Sequence, residues 1–265
     1  MIGRMVLVTP TWKVIVATLV AASVPLAAQG QEVSDIPASP VPWSEALQLV
    51  LVTTPGWDST RGEMRRFART SQGWKQVGDE VPIVIGRAGA AWGVGLHPMQ
   101  PGPAKQEGDG RSPAGVFPVG VAFGYAESAD TNLLYVPMDA SDWCIDAAES
   151  PLYNQIVDAR DVGADAIAGS TEPMRRDLHV DGDQLYKLGF VIGHNPRNEP
   201  GDGSCIFAHI WRAADVPTAG CTAMAEPHMQ EILSWLRSDA DPVFVLLPQQ
   251  EYERLRIPWD LPDTP

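Results

Sequence analysis

Leu47-Gln-Leu-Val-Leu-Val-Thr-Thr54, closed at once by Pro55-Gly56, is the stretch on which the reading of the fold turns. A short apolar run rich in valine and leucine and ended by a Pro-Gly breaker predicts a strong β-strand. Working outward, strand-like stretches recur at close intervals, at residues 63–69, 81–85, 115–119, 187–193 and 242–247, mostly beside Gly, Pro, Asn or Asp. The 24 glycines and 24 prolines are scattered among these runs without a repeat, which reads as turn-rich β structure rather than disorder. Dense short strands with Gly/Pro turns predict a mainly β domain, sandwich or barrel-like, with a few short helices. The clearest helix signal lies at residues 226–237. Pro227 suits a first turn there, and Met229, Ile232, Leu233 and Leu236 recur at helical spacing, a stripe assigned to core packing.

The flanks differ from this region. Arg4 and Lys13 precede an uncharged run over residues 14–28 that ends in Ala27-Ala28-Gln29-Gly30. That layout predicts a secretory signal peptide at 1–30, and the run is shorter than the roughly 20 apolar residues of a membrane span. Residues 31–46 read as a linker, 47–250 as the folded domain and 251–265 as a polar, Pro-containing C-terminal tail. Export to the periplasm or cell envelope is expected, with no stable membrane span after cleavage. The chain carries 19 basic against 33 acidic residues, a formal charge of −14, and loses Arg4 and Lys13 with the leader. Nucleic acid is therefore not an expected partner.

Cys144, Cys205 and Cys221 are the only cysteines, and an odd count in an exported chain leaves at least one thiol unpaired unless chains cross-link. A lone thiol in an oxidising compartment favours a reactive role over a structural one. Gly203-Ser-Cys-Ile-Phe-Ala-His209-Ile-Trp-Arg212 and then Pro217-Thr-Ala-Gly-Cys221-Thr-Ala-Met224 form the most specific segment. His209 lies at the end of an apolar strand over 206–208, twelve residues before Cys221, with a loop able to bring the two together. An adjacent imidazole turns a thiol into a nucleophile by taking its proton. Gly220 lacks a Cβ, so a substrate carbonyl has room to approach, and the amides of Gly220 and Thr222 are candidate oxyanion donors beside that of Cys221. The bland alternative is a buried Cys packed as a small hydrophobe beside a structural His. His194, in a turn after a strand, is a candidate site-lining residue, whereas His97, His179 and His228 read as surface or loop residues. Residues 89–111 and 128–177 are long enough to be binding elements or lids. His209, Cys205 and Cys221 lack the short spacing of a zinc knuckle, so neither metal nor cofactor is expected.

A strand-end His followed at moderate distance by Thr218-Ala-Gly-Cys221 resembles the catalytic motif of YkuD-type L,D-transpeptidases, the Ser/Thr-His-Gly-Cys pattern. The upstream Lys105-Gln-Glu-Gly-Asp-Gly-Arg-Ser-Pro-Ala-Gly115-Val-Phe117 is similar to the family's Thr-Pro-x-Gly-x-Phe region, and Gly86-Arg87 after Val-Pro-Ile-Val-Ile fits as well. The resemblance spans roughly residues 47 to 248. Ala219 stands where the family often has His, and Ala223 where it often has Arg. The resemblance implies a β-rich catalytic domain, an acyl-enzyme on Cys221, His209 as proton acceptor and donor, and peptidoglycan stem peptides as substrates. Transpeptidation, hydrolysis by the same acyl-enzyme and a non-catalytic wall-binding domain remain open as outcomes. Susceptibility to carbapenems is implied by the resemblance alone. Arg212, Trp211, Thr218 and His194 are the candidate substrate-binding residues. Three one-bridge pairings of the cysteines are possible; Cys144–Cys205 is the expected one, because a bridge to Cys221 would abolish the implied chemistry.

Overall fold

The structure, a computed structural model, describes residues 41–264. The expected leader at 1–30 and most of the expected linker lie outside the described residues. In chain order the first elements are β1 (Gln48–Thr54), β2 (Arg61–Thr70), β3 (Gly73–Val84), β4 (Ala90–Trp92), β5 (Ser112–Gly124) and β6 (Tyr135–Pro137). The middle segment holds β7 (Asp142–Cys144), β8 (Ile156–Asp158), α1 (Ala159–Val162), β9 (Glu172–Pro173) and α2 (Arg176–His179). The chain closes with β10 (Leu188–Ile192), β11 (Phe207–Ile210), β12 (Thr222–Met224), α3 (Glu226–Trp235), β13 (Val243–Pro248) and α4 (Gln249–Leu255).

Eight of these strands close on themselves in the order β10-β11-β12-β3-β2-β1-β13-β5 and back to β10. The expected mainly β architecture thus takes the form of a closed eight-stranded barrel with few short helices. Closure leaves no unpaired barrel edge, which is the usual hazard of a strand-rich domain. The opening run Gln48–Thr54 is buried at every position. It pairs parallel with β13 and antiparallel with β2, and such a two-sided environment selects a continuous apolar run over an alternating one. The expected helix is α3, which buries Met229, Ile232 and Leu233.

Both ends of the domain reach further than their composition suggests. Trp43, inside the expected linker, is 2 % exposed and its indole N–H donates to the Trp259 carbonyl at 3.0 Å. Residues 251–265 are not a free polar tail: α4 buries Tyr252 and Leu255, and Trp259 and Leu261 join the core. Each such aliphatic side chain contributes roughly 1.5–3 kcal/mol by leaving water. The Tyr252 hydroxyl donates to the Pro262 carbonyl at 2.6 Å and fastens the end of the segment. The polar residues at its start lie on the outer side of α4, whose inner side is apolar.

His97 is likewise not a surface residue. It is 8 % exposed and stacks on Trp259 with ring centroids 5.3 Å apart. Gly115, at φ 136°, makes the space: a Cβ there would stand 1.8 Å from His97 Nε2. Only glycine combines that backbone angle with that approach.

A candidate thiol–imidazole site on the barrel wall

β11 and β12 run parallel, with Ala208 opposite Thr222 and His209 opposite Ala223. The intervening segment therefore crosses over instead of turning back. It is pinned midway where Thr218 bridges to Gly86 at the end of β3. Residues in register on neighbouring strands share a face, and side chains alternate along a strand. Cys221, two before Ala223, thus falls on the same face as His209. Both line one cavity of about 320 Å³, together with Arg87, Glu107, Asp146, Glu172, Arg176 and Tyr186.

The thiol is buried and held from two sides. The Phe207 N–H donates to Cys221 Sγ at 3.3 Å, and the S–H donates to the Cys205 carbonyl at 3.5 Å. Cys205 has a left-handed backbone, φ 56°, which costs a non-glycine residue energy. Its N–H donates to Asn154 Oδ1 at 2.9 Å, and its sulfur is bonded to Cys144, so the strained geometry is held by two tethers. Burial pushes the Cys221 thiol up to about 12, with the Glu172 carboxylate adding to the effect and the Phe207 amide opposing it. His209 hydrogen-bonds through Nδ1 to the Ile210 carbonyl at 2.8 Å. A carbonyl only accepts, so Nδ1 carries the proton and Nε2 the lone pair. Burial pulls His209 down to about 4. The two groups therefore rest as neutral thiol and neutral imidazole, and the proton has to move during attack, not before it.

The turn that carries the thiol is built from side-chain hydroxyls. Thr218 Oγ1 donates to the Cys221 carbonyl at 2.6 Å and accepts from the Gly220 N–H at 3.1 Å. Ser112 Oγ donates to the same carbonyl at 3.0 Å and accepts from the Gly86 N–H at 3.0 Å. These contacts bear on the expected residues of the turn. Thr218 shapes the turn and also lines the cavity. The Gly220 N–H is engaged and not offered to an oxyanion. A Cβ on residue 220 would also stand 3.2 Å from the Arg111 carbonyl oxygen, a tight contact with backbone that glycine avoids. Thr222 belongs to the ladder with β11. The Trp211 N–H donates to the Met224 carbonyl at 2.8 Å, and residues two apart on a strand turn their backbone groups the same way, so those of Thr222 also face β11. The N–H of Cys221 itself is then the amide nearest the thiol that these contacts leave untaken.

The remaining expected residues divide. Trp211 and Arg212 line the cavity, and Arg212 is ion-paired with Asp183 at 2.7 Å. His194 does not line it. It is 3 % exposed, accepts from the Val94 N–H at Nδ1 and meets the Asp202 carbonyl at Nε2, 2.9 Å away. With both nitrogens satisfied and burial pulling it down to about 4, His194 is a structural residue. Cys144 and Cys205 form a disulfide and Cys221 is free, the expected pairing.

The sequence reading missed the groups facing the thiol from the long middle segment. β7, β8 and β9 form a separate three-stranded sheet, in which Cys144 stands opposite Glu172. Glu172 accepts from the Tyr186 hydroxyl at 2.7 Å and from Arg176 at 2.9 Å, and burial raises its carboxyl. The Tyr186 ring stands edge-on to His209 with centroids 5.2 Å apart. No local pattern marks these residues, because Glu172 comes from the small sheet, Arg176 from α2 and Tyr186 from the segment before β10, all far from Cys221 in sequence. Comparison with family models, with curated proteins and with solved structures finds no match to this chain.

Proposed function

We propose that this protein is an exported cysteine L,D-transpeptidase acting on peptidoglycan stem peptides. The observation that carries the reading is the placement of the single free thiol and a buried imidazole on one face of β11–β12, in one cavity. The Thr218–Cys221 turn and the Ser112–Phe117 strand, the two segments with the family resemblance, meet at the Cys221 carbonyl, which supports it further.

In this mechanism Cys221 Sγ attacks the carbonyl at the L-centre of the diamino acid in a tetrapeptide stem. His209 Nε2 takes the thiol proton as the C–S bond forms and hands it to the amine of the departing D-alanine. The Cys221 amide and the site's fixed dipoles stabilise the oxyanion, an effect worth about 2.7–4 kcal/mol per donor in related chemistry. A side-chain amine of a second stem then attacks the thioester and forms the cross-link. Water in its place gives the tripeptide.

The reading is tested by incubating the mature chain with a disaccharide-tetrapeptide and separating the products by mass. D-alanine release that requires Cys221, accompanied by cross-linked dimer, is the expected result. Folded protein with reduced Cys221 that gives neither dimer nor tripeptide would overturn it.

A further inference from the structure

The carboxylates that line the Cys221 cavity differ in how their oxygens are used. Asp146 has both engaged by Thr171, one by its N–H and one by its hydroxyl. Glu107 takes the Tyr153 and Ser204 hydroxyls on Oε2 and the Gly108 N–H on Oε1. Glu172 is unlike both. Tyr186 and Arg176 donate to the same oxygen, Oε1, and among the described residues nothing donates to Oε2. The Glu172 side chain is 22 % exposed and lines the cavity, so its free oxygen is open to a ligand beside the thiol. Arg176 is shared with Asp183 at 3.1 Å and so is only partly spent on Glu172. The charged and titratable groups around Glu172 are thus Arg176, Tyr186, Asp146 and Cys221.

We propose that Glu172 is the acceptor-side base of the site: its free Oε2 binds the ammonium group of the acceptor chain and takes one proton from it. The inference rests on the transpeptidase reading and assigns a residue to its second half-reaction. The neutral amine so formed attacks the thioester carbonyl, a C–N bond forms and the C–S bond breaks. The second amine proton passes to neutral His209 and from it to the leaving Sγ, restoring the thiol, while Glu172 returns its proton to solvent. Water needs no such step as an acceptor, so Glu172 governs the partition between transfer and hydrolysis. Burial, which raises the Glu172 carboxyl, narrows its gap to an amine and eases the transfer.

The test is Glu172→Gln, which keeps the contacts to Tyr186 and Arg176 and removes the charge. Acyl-enzyme formation from tetrapeptide, followed by intact mass, is expected to persist, with its rate shifted by the loss of the Glu172 charge beside Cys221, so the partition is read on acyl-enzyme already formed. The dimer-to-tripeptide ratio is expected to fall ten-fold or more, on the order of a general base's contribution. Transfer to hydroxylamine, an amine uncharged at neutral pH, is expected to be unchanged. An unaltered dimer-to-tripeptide ratio in a variant that acylates overturns the assignment. If Glu172→Gln does not fold, the wild-type enzyme decides the matter. Transfer to a charged amine levels off with rising pH once Glu172 is ionised. A climb of about ten-fold per pH unit towards the amine's own pKa would mean that free amine is drawn from solution and would overturn the proposal. Wild-type protein that forms no acyl-enzyme at all overturns the transpeptidase reading, and this inference with it.

Discussion

The wall formed by β11 and β12 and the small sheet of β7, β8 and β9 face the same cavity but are held by different means. The wall belongs to a closed barrel, with β11 paired on both sides and β10 paired again with β5. The small sheet consists of strands of two or three residues. Hairpins of that size are marginal alone. A covalent bond from Cys144 to Cys205 ties the sheet to the start of the wall, across 61 residues of sequence. The groups proposed to make and break bonds, Cys221 and His209, sit on the rigid part. Glu172, proposed to select the acceptor, sits on the tethered part. Chemistry and selectivity are therefore expected to be separable by mutation.

The largest effects are expected on the wall. Cys221→Ala should abolish acylation by tetrapeptide, and His209→Gln should slow it by roughly 10²–10⁴, the usual range for loss of a general base. Single-turnover mass spectrometry measures both. Equal acylation by His209→Gln and wild type would remove His209 from the mechanism.

The tether comes next. Loop-closure entropy for a bridge of this separation is worth about 4 kcal/mol in the chain-entropy account. Cys144→Ser should lower stability to denaturant by up to about that amount and raise the free-thiol count of the denatured, unreduced chain from one to two. Its effect on the dimer-to-tripeptide ratio should exceed its effect on acylation, because Glu172 loses its covalent tether whereas Cys205 keeps the Asn154 contact that holds its carbonyl against the thiol. Equal losses in both would break the distinction between the two regions.

Acid stability sharpens the comparison from another side. His209 and His194 both titrate near 4 when folded, against about 6.5 in an unfolded chain. The unfolded chain thus binds more protons between those values, and stability present above pH 6.5 is lost as pH falls towards 4. The loss is of order 3 kcal/mol per histidine. Urea midpoints measured across that window should show it, and His194→Gln should flatten the slope without changing the acylation mechanism. The smallest effect is expected of Ser112→Ala. It leaves the Thr218 hydroxyl on the Cys221 carbonyl and strips a partner from the Gly86 N–H, a cost of about 1–2 kcal/mol.

Much of the barrel was legible because strand signals are local. The runs at 47–54, 63–69, 115–119, 187–193 and 242–247 each fall within or across an observed strand, and α3 lies where its apolar stripe placed it. Closure was not legible, since it depends on β5 reaching both β13 and β10. Nor was the parallel pairing of β11 with β12, which decides that His209 and Cys221 share a face. Their candidacy was readable from residue type and spacing, whereas the oxyanion role given to Gly220 and Thr222 failed because their backbone groups serve the turn and the ladder. His194 and His209 look alike in the sequence. Only the partners of the second ring nitrogen separate them. Glu172 carried no signal, as its neighbours arrive from α2, from the segment before β10 and from β12.

The most direct measurement is the rate at which tetrapeptide acylates Cys221 as a function of pH, read by intact mass in single turnover. A neutral thiol–imidazole pair is expected to give a rate that rises through a limb near pH 4, where His209 loses its proton, and then stays level across neutral pH. A rate that instead climbs steadily through neutral and alkaline pH as free thiolate forms, or the absence of any Cys221-bound acyl group from folded protein, would contradict the pairing of Cys221 with His209.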